Sequence, residues 1–297
     1  MIDFARSMGE NRFETMQHAN VSAYLSRPLA PGPVAILLME DYCETDSTLR
    51  HHLRLGFPNI VALAPSDLEI APDLAENIDL VPHDFARDNP FETLNRMIPA
   101  LEGHWVYYGF NAEYLFYPFS ETRSIGELTR FVSEERRDSI LTYAIDLYAE
   151  DLGENSNGVS LQTAHLDQAG YYAHARWREG QRQERQLDMF GGLRWRFEEH
   201  IPWERRKIDR IGLFLAQKGL KLRPDHTFNI EEYNTYACKW HHNVTAAICS
   251  FRVAKSLRTN PGSAAEIDQF TWGNSRKFTW DSHQLMELGL MEPGQWF

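Results

Sequence analysis

The chain lacks long apolar runs, has few cysteines and carries no surplus of positive charge, and each lack excludes something. No stretch of its 297 residues approaches the roughly 18 to 20 consecutive apolar residues of a membrane-spanning helix. The longest candidate, VAILLM at Val34 to Met39, is long enough only for a buried strand. The opening MIDFARSMGENRFETM is charged throughout and lacks a signal peptide's apolar stretch, so no secretory leader is expected there. Cys43, Cys238 and Cys249 are odd in number and lack metal-ligand spacing, which suggests reduced thiols and a cytoplasmic location. A formal net charge of −12 opposes general nucleic-acid binding, which needs a basic surface to displace counterions. The chain also contains no P-loop, no G-x-G-x-x-G and no G-x-S-x-G elbow, no internal repeat and no low-complexity segment.

What is present reads as a globular α/β protein. Apolar residues make up 43% of the chain, which is long enough to bury a sizeable core. Residues 1–33 read as a leader segment ending in the Pro-rich loop SRPLAPGP. VAILLMED, NIVALAP, IDLVPHD, WVYYGF and SILTYAIDLYA then read as buried strands. Between the first two lies a helix, TLRHHLRL, capped by Thr45-Asp46-Ser47 and ended by Gly56. Pro90 opens a second helix. SIGELTRFVSEE is a third, with Ile125, Leu128, Phe131 and Val132 on one face. Strands alternating with helices predict a mostly parallel sheet flanked by helices. After about residue 150 the pattern changes. The arginine-rich stretch to about 188 is expected to be mobile or helical, and a polar helical tail is expected over 261–297. The main domain is placed at 34–260, with that tail packed on it.

Ligands of open α/β sheets bind beyond the carboxyl ends of the parallel strands. Those ends carry Glu40-Asp41, His83-Asp84 and Asn111-Ala112-Glu113. Carboxylates gathered at one sheet edge suit ribose hydroxyls, the amine or amide of a base, or a divalent cation. Arginines bunch at Arg176, Arg178, Arg182 and Arg185, at Arg194 and Arg196, and at Arg205 and Arg206. These read either as a solvated helix face followed by a solvated hairpin, or as a phosphate clamp. His241-His242 has no third ligand at a defined spacing, so no zinc site is expected. His52, one turn from a helix end, reads as a packing or capping residue.

In order and spacing these pieces resemble the bacterial glycosyltransferase family 2 group, whose members have the GT-A nucleotide-sugar fold. The resemblance runs over roughly residues 34–260. MEDYCETDSTLRHHLRLGFPNIVALAP fits the group's first strand, helix and second strand, with Glu40-Asp41 at its acidic pair. FNAEYLFYP stands where the group has D-A-D-E-F-L, and AIDLY where a strand ends in D-M-Y. FGGLRWRF resembles G-G-x-R-x-R-x-F, and RPDHTF and SFRVAK resemble the late histidine and H-F-K elements.

The resemblance implies a nucleotide-sugar donor, and a glycan or other hydroxyl acceptor. It also implies Mn2+ or Mg2+ held by the aspartates of that turn (the D-x-D motif). Here those positions are Phe110 and Ala112, so only Glu113 and Asn111 keep oxygen donors for a metal. Asp67 follows the second strand where the group has Asn-Asp, and H-F-K has become Ser250-Phe251-Arg252. Two expectations follow. One is a metal-independent transferase, with Arg194, Arg196 and the Arg176–Arg185 group meeting the leaving-group charge. Asp146, or else Glu113, would be the general base, and Glu40, Asp41, Asp67, Asn111 and His226 would join the donor site. The other is a protein that keeps the fold but has lost catalysis, and binds a nucleotide, glycan or protein. Tyr107, Tyr108, Tyr114, Phe116 and Tyr117 are the aromatics to test against a sugar, although alternation along a strand assigns most of them to the core.

Overall fold

Continuous apolar runs fold as strands when both faces of a sheet are covered. The computed structural model, which describes residues 16–235 and 243–296, shows this directly. Cys238, His241 and His242 lie outside the described residues. The strands are β1 Met16–Gln17, β2 Val34–Leu38, β3 Asn59–Ala64, β4 Asp79–Pro82, β5 Trp105–Phe110, β6 Glu113–Phe116, β7 Ser139–Asp146, β8 Tyr148–Ala149, β9 Ala164–Asp167, β10 Tyr172–Arg178, β11 Gln181–Phe190, β12 Asp209–Leu215, β13 Ala246–Ser250 and β14 Ser275–Lys277. The helices are α1 Val21–Leu25, α2 Thr45–Arg54, α3 Pro90–Met97, α4 Ile125–Glu134, α5 Leu193–Arg196, α6 Arg252–Thr259, α7 Pro261–Glu266 and α8 Ser282–Glu287.

Nine of the strands form one mixed sheet in the order β1-β4-β3-β2-β5-β12-β7-β13-β6. Most neighbours are parallel, but β12 runs antiparallel between β5 and β7, and β6 antiparallel to β13. Side chains alternate across the sheet, so β2 feeds two cores. Ala35 and Leu37 pack with Leu49 of α2 and Leu128 of α4. Val34, Ile36 and Leu38 pack with Leu94 and Met97 of α3 and Tyr24 of α1.

Helix ends follow their local chemistry. Asn89 caps α3, with Pro90 in its first turn, and Ser124 and Glu127 form a capping box on α4. Gly56, at φ 83°, closes α2 as expected. The start of α2 differs from the expectation. Glu44, at φ 55°, takes the cap position without a side-chain cap bond, and Thr45 already lies in the helix.

Four further segments differ from the expectation or fill it in. Within the leader, β1 pairs with β4 at the sheet edge and α1 packs on the second core. The stretch expected to be mobile or helical is instead a β-hairpin, β10–β11. Glu179 and Gly180, at φ 51° and 76°, form a two-residue turn of the kind that matches strand twist, between the paired Arg178 and Gln181. The segment taken for a hairpin, around Arg194 and Arg196, contains the short helix α5. The tail from 261 is not simply helical either: β14 pairs with β9, while Phe278, Leu285 and Met291 join a core with Tyr114 and Ile145.

Candidate functional site

Strand order reverses between β2 and β5. The connection from β2 leads outward to β3, whereas β5 lies on its other side. The carboxyl ends of those two strands therefore flank the crevice where α/β sheets hold ligands. Glu40 and Asp41 leave β2 there, and Asn111 to Glu113 leave β5. The parallel strands β7 and β13 end at the same edge with Asp146 and Ser250, which pair in register. The antiparallel β12 starts there with Asp209 and Arg210.

Four carboxylates at this edge are each matched by a cation from a distant element. Glu113 is fully buried and takes Arg210 at 2.7 Å, the Ser250 hydroxyl at 3.1 Å and the Phe110 amide at 3.0 Å. Burial alone would raise its pKa. The guanidiniums of Arg210 and Arg252 and those hydrogen bonds outweigh burial and hold it at about 2. Glu40 takes Arg252 through a two-pronged contact at 2.8–3.0 Å. The same guanidinium lies 3.5 Å from the centre of the Phe110 ring. Asp41 takes Lys255 at 2.9 Å and the Cys43 amide at 2.8 Å. Burial raises Asp41 and these donors, with Asn111, more than reverse it. Asp146, fully buried, takes both the backbone amide and Nε of Arg194 at 3.2 Å. There burial wins and the carboxyl is raised despite Arg194.

Asn111 ties the turn to the loop after β2. Its Oδ1 accepts from the Glu40 amide at 3.0 Å, and its Nδ2 donates to the Cys43 carbonyl at 2.9 Å and to Asp41. Glu113 and Asn111 therefore do not fit a divalent cation. A Mn2+ or Mg2+ ion takes exposed anionic oxygens, and the oxygens here face a guanidinium and backbone amides.

His226 joins the edge through Tyr108, whose hydroxyl lies 2.9 Å from Nδ1 and whose ring stacks on the imidazole. Burial, then Arg210 and Arg252, hold this histidine neutral, well below its ordinary range. Asp67 stands at the rim, where it accepts from Tyr42 at 2.8 Å. Arg196 is committed elsewhere, to Asp167 at 2.9 Å and the Phe270 carbonyl at 2.8 Å. Two members of the Arg176–Arg185 group are committed, while Arg182 and Arg185 are exposed on β11. Arg176 is buried on Asp188 and Asp209, and Arg178 pairs with Glu231 at 2.7 Å. Tyr107, Tyr108, Tyr114, Phe116 and Tyr117 are all buried, as alternation and core packing required. The exposed rings are others, among them Tyr42, Trp177, Trp195 and Trp203.

Arg210 and Lys255 escaped the sequence reading. Arg210 had a usable signal: an arginine inside the apolar run RIGLFL must be paired if that run is buried. Lys255, on α6, had none.

Gly192 closes one wall of the site. It sits at φ 66°, and a Cβ there would meet Asp146 Oδ2 at 2.9 Å. Gly192→Ala is expected to destabilise the chain by about 2–3 kcal/mol, from left-handed strain and displacement of the Asp146 carboxylate. Urea unfolding measures it, and an unchanged midpoint would show that the Asp146–Arg194 contact is loose.

Among known proteins, no protein-family model matches the chain, and no curated protein is significantly similar to it.

Proposed function

We propose that the carboxyl edge of the sheet binds a nucleotide sugar without a divalent cation and passes its sugar to an acceptor hydroxyl. One observation carries this reading: four cationic side chains lie along the carboxyl edge of an α/β sheet, three of them on residues that leave the β2/β5 switch point, while the turn expected to hold a metal has its oxygens engaged by protein donors. The resemblance to GT-A glycosyltransferases supplies the reaction class. Arg252 and Lys255, with side chains 28% and 11% exposed, lie on carboxylates that are themselves partly exposed, whereas Arg194, 14% exposed, lies on the buried Asp146. A diphosphate offers Arg252 and Lys255 stronger acceptors than Glu40 and Asp41 do, and neutralises charge as the nucleoside diphosphate departs. Tyr42, 57% exposed beside Asp67, offers a stacking face for the base and a carboxylate for ribose hydroxyls. The exposed indole of Trp195, next to Arg194 on α5, offers a face for the acceptor sugar.

In the reaction, the acceptor oxygen attacks the anomeric carbon and the bond to the diphosphate breaks. The acceptor proton passes to Asp146, once Arg194 swings to the leaving phosphate. Burial has already raised that carboxyl toward the basicity the step needs. The complete internal pairing of the edge favours a second reading, a cleft protein that binds the nucleotide without turnover.

Calorimetric titration with UDP, GDP, CDP and their sugars, in EDTA and in Mn2+, separates the readings. One nucleoside diphosphate is expected to bind in EDTA, and Arg252→Ala to weaken it by about tenfold or more. Binding that requires Mn2+ would overturn the metal-free reading, and binding without product would favour the silent protein. No binding by any of them would remove the donor site altogether. None of the described helices is long and apolar enough to cross a membrane.

A further inference from the structure

Away from these charges, a cavity of about 510 Å3 opens between α2, the loop after β3 and the start of β6. That volume is in the range of small-molecule sites, roughly 300–1,000 Å3. Its lining shares no residue with the charged edge. Helical spacing puts Ser47, Arg50 and Arg54 on one face of α2, with Leu53 beside them. Leu74, Tyr114, Leu161 and Trp280 complete the wall.

Two features mark this cavity as a site rather than a packing gap. The first is Trp280, held in the left-handed region at φ 59°, a conformation that costs about 1 kcal/mol or more for a bulky residue. Its indole is fixed by a bond to the Leu161 carbonyl at 3.0 Å and by edge-on packing on Tyr114 at 4.9 Å. The second is the charge at the rim. Asp73 is already covered by a two-pronged contact from Arg50. Arg54 is exposed, and no described residue pairs with it. The cavity thus presents an apolar wall with two guanidiniums in its lining, of which Arg54 has its charge unmatched among the described residues, while Asp73 lies on Arg50 and Glu44 on the Ser47 hydroxyl. A free guanidinium beside an apolar wall suits an anionic head on an apolar body.

We propose that the cavity binds an organic anion with an apolar body. Its acidic head lies on Arg54 and Arg50, and its body lies against Leu74, Leu161 and Trp280. A carboxylate and a phosphate monoester share this chemistry.

The test is calorimetric titration of the full chain with decanoate, decyl phosphate and the neutral decanol, each below its aggregation limit. Both anions are expected to bind, with decanol weaker by about tenfold or more. A preference between the two heads would then identify the source. Arg54→Ala, at an exposed position, is expected to weaken both anions by about tenfold and to leave decanol unchanged. Leu161→Trp, which fills the cavity, is expected to abolish binding of all three. Equal affinity for decanol, full binding by Arg54→Ala, or no binding of either anion would each overturn the proposal. These outcomes do not depend on whether the charged edge binds a nucleotide.

Discussion

Arg210→Ala is expected to lower the stability of the chain by about 3–5 kcal/mol, because it strands the buried Glu113 carboxylate without its counter-charge. Arg210 is 4% exposed and Glu113 fully buried, so water cannot compensate for the lost partner. The double change Arg210→Met with Glu113→Leu removes both charges and is expected to recover most of that loss. Urea unfolding at pH 7 measures both. The pair also has a pH signature. Glu113 is held at about 2, against an ordinary value of 4.5, so the folded state binds its proton later than the unfolded state. Its contribution is complete above pH 4.5 and is lost as the pH falls from there towards 2, by about 3 kcal/mol in all. An Arg210→Ala chain as stable as the parent would show that Glu113 is solvated, and would return its oxygens to a metal.

This pair bears on function as well as stability. A carboxylate held at about 2 by a buried guanidinium is neither a free cation ligand nor an effective base near neutral pH. Of the two candidate bases, the proposed reaction therefore takes Asp146, whose carboxyl burial pushes upward despite Arg194. The departures at Phe110 and Ala112 are thus consistent with a rearranged edge rather than with a single lost ligand. Phe110 carries the guanidinium of Arg252 on its ring, and the Ala112 amide donates to Thr48 Oγ1 at 2.9 Å.

The central strands were legible because a strand covered on both faces has to be apolar throughout. Val34–Leu38, Asn59–Ala64 and Trp105–Phe110 meet that requirement almost without exception. The β10–β11 hairpin was not legible, because charge pairs rather than alternating apolar residues hold much of it. Its buried side chains include Arg176 and Gln186, which a hydrophobicity pattern scores as exposed. Its clearest signal was the Glu179-Gly180 turn. The two-residue β1 is exposed along its length and gives no pattern at all.

The site was half legible. The strand-end rule found Glu40, Asp41, Asn111 and Glu113, because loops at that edge must follow their strands, and the family resemblance pointed to Asp146. The rule did not find their partners. Arg210 lies 97 positions from Glu113, Arg252 lies 212 from Glu40 and Lys255 lies 214 from Asp41. Such pairings depend on where β12 and β13 insert in the sheet, which no local pattern records. The same reasoning explains why the arginine cluster misled. Proximity in sequence suggested one clamp, but the fold sends Arg176, Arg194 and Arg196 to three different carboxylates.

Acid is expected to destabilise the chain well above the range where carboxylates titrate, because of the consecutive histidines of α2. His51 and His52 are both buried, with rings 5.4 Å apart. His51 Nε2 reaches the Leu115 carbonyl at 2.7 Å, and His52 Nδ1 the Thr48 carbonyl at 2.8 Å, so each neutral ring is served as a donor. His52 also stacks on Tyr107 at 5.0 Å, which makes it a packing residue. Burial, then for His51 the neighbouring His52, lowers the pair from 6.5 to about 3 and about 4. Below pH 6.5 the unfolded chain takes up two protons that the folded chain refuses, so stability falls with falling pH. Between pH 7 and pH 5 the loss is about 4 kcal/mol for the two together. His226, lowered for a similar reason, adds in the same direction. His52→Phe keeps the stacking on Tyr107 and removes one of the protons, so the slope of stability against pH above 5 is expected to flatten measurably. Urea midpoints at pH 7, 6 and 5 for parent and variant decide it. A parent equally stable at pH 7 and 5 would mean that α2 opens readily enough for these rings to be protonated in the folded state. Between pH 7 and 5 Glu113 does not titrate, so that limb of a stability titration reports on the helix alone, whereas below pH 4.5 Glu113 adds its loss to the remainder of the histidines'.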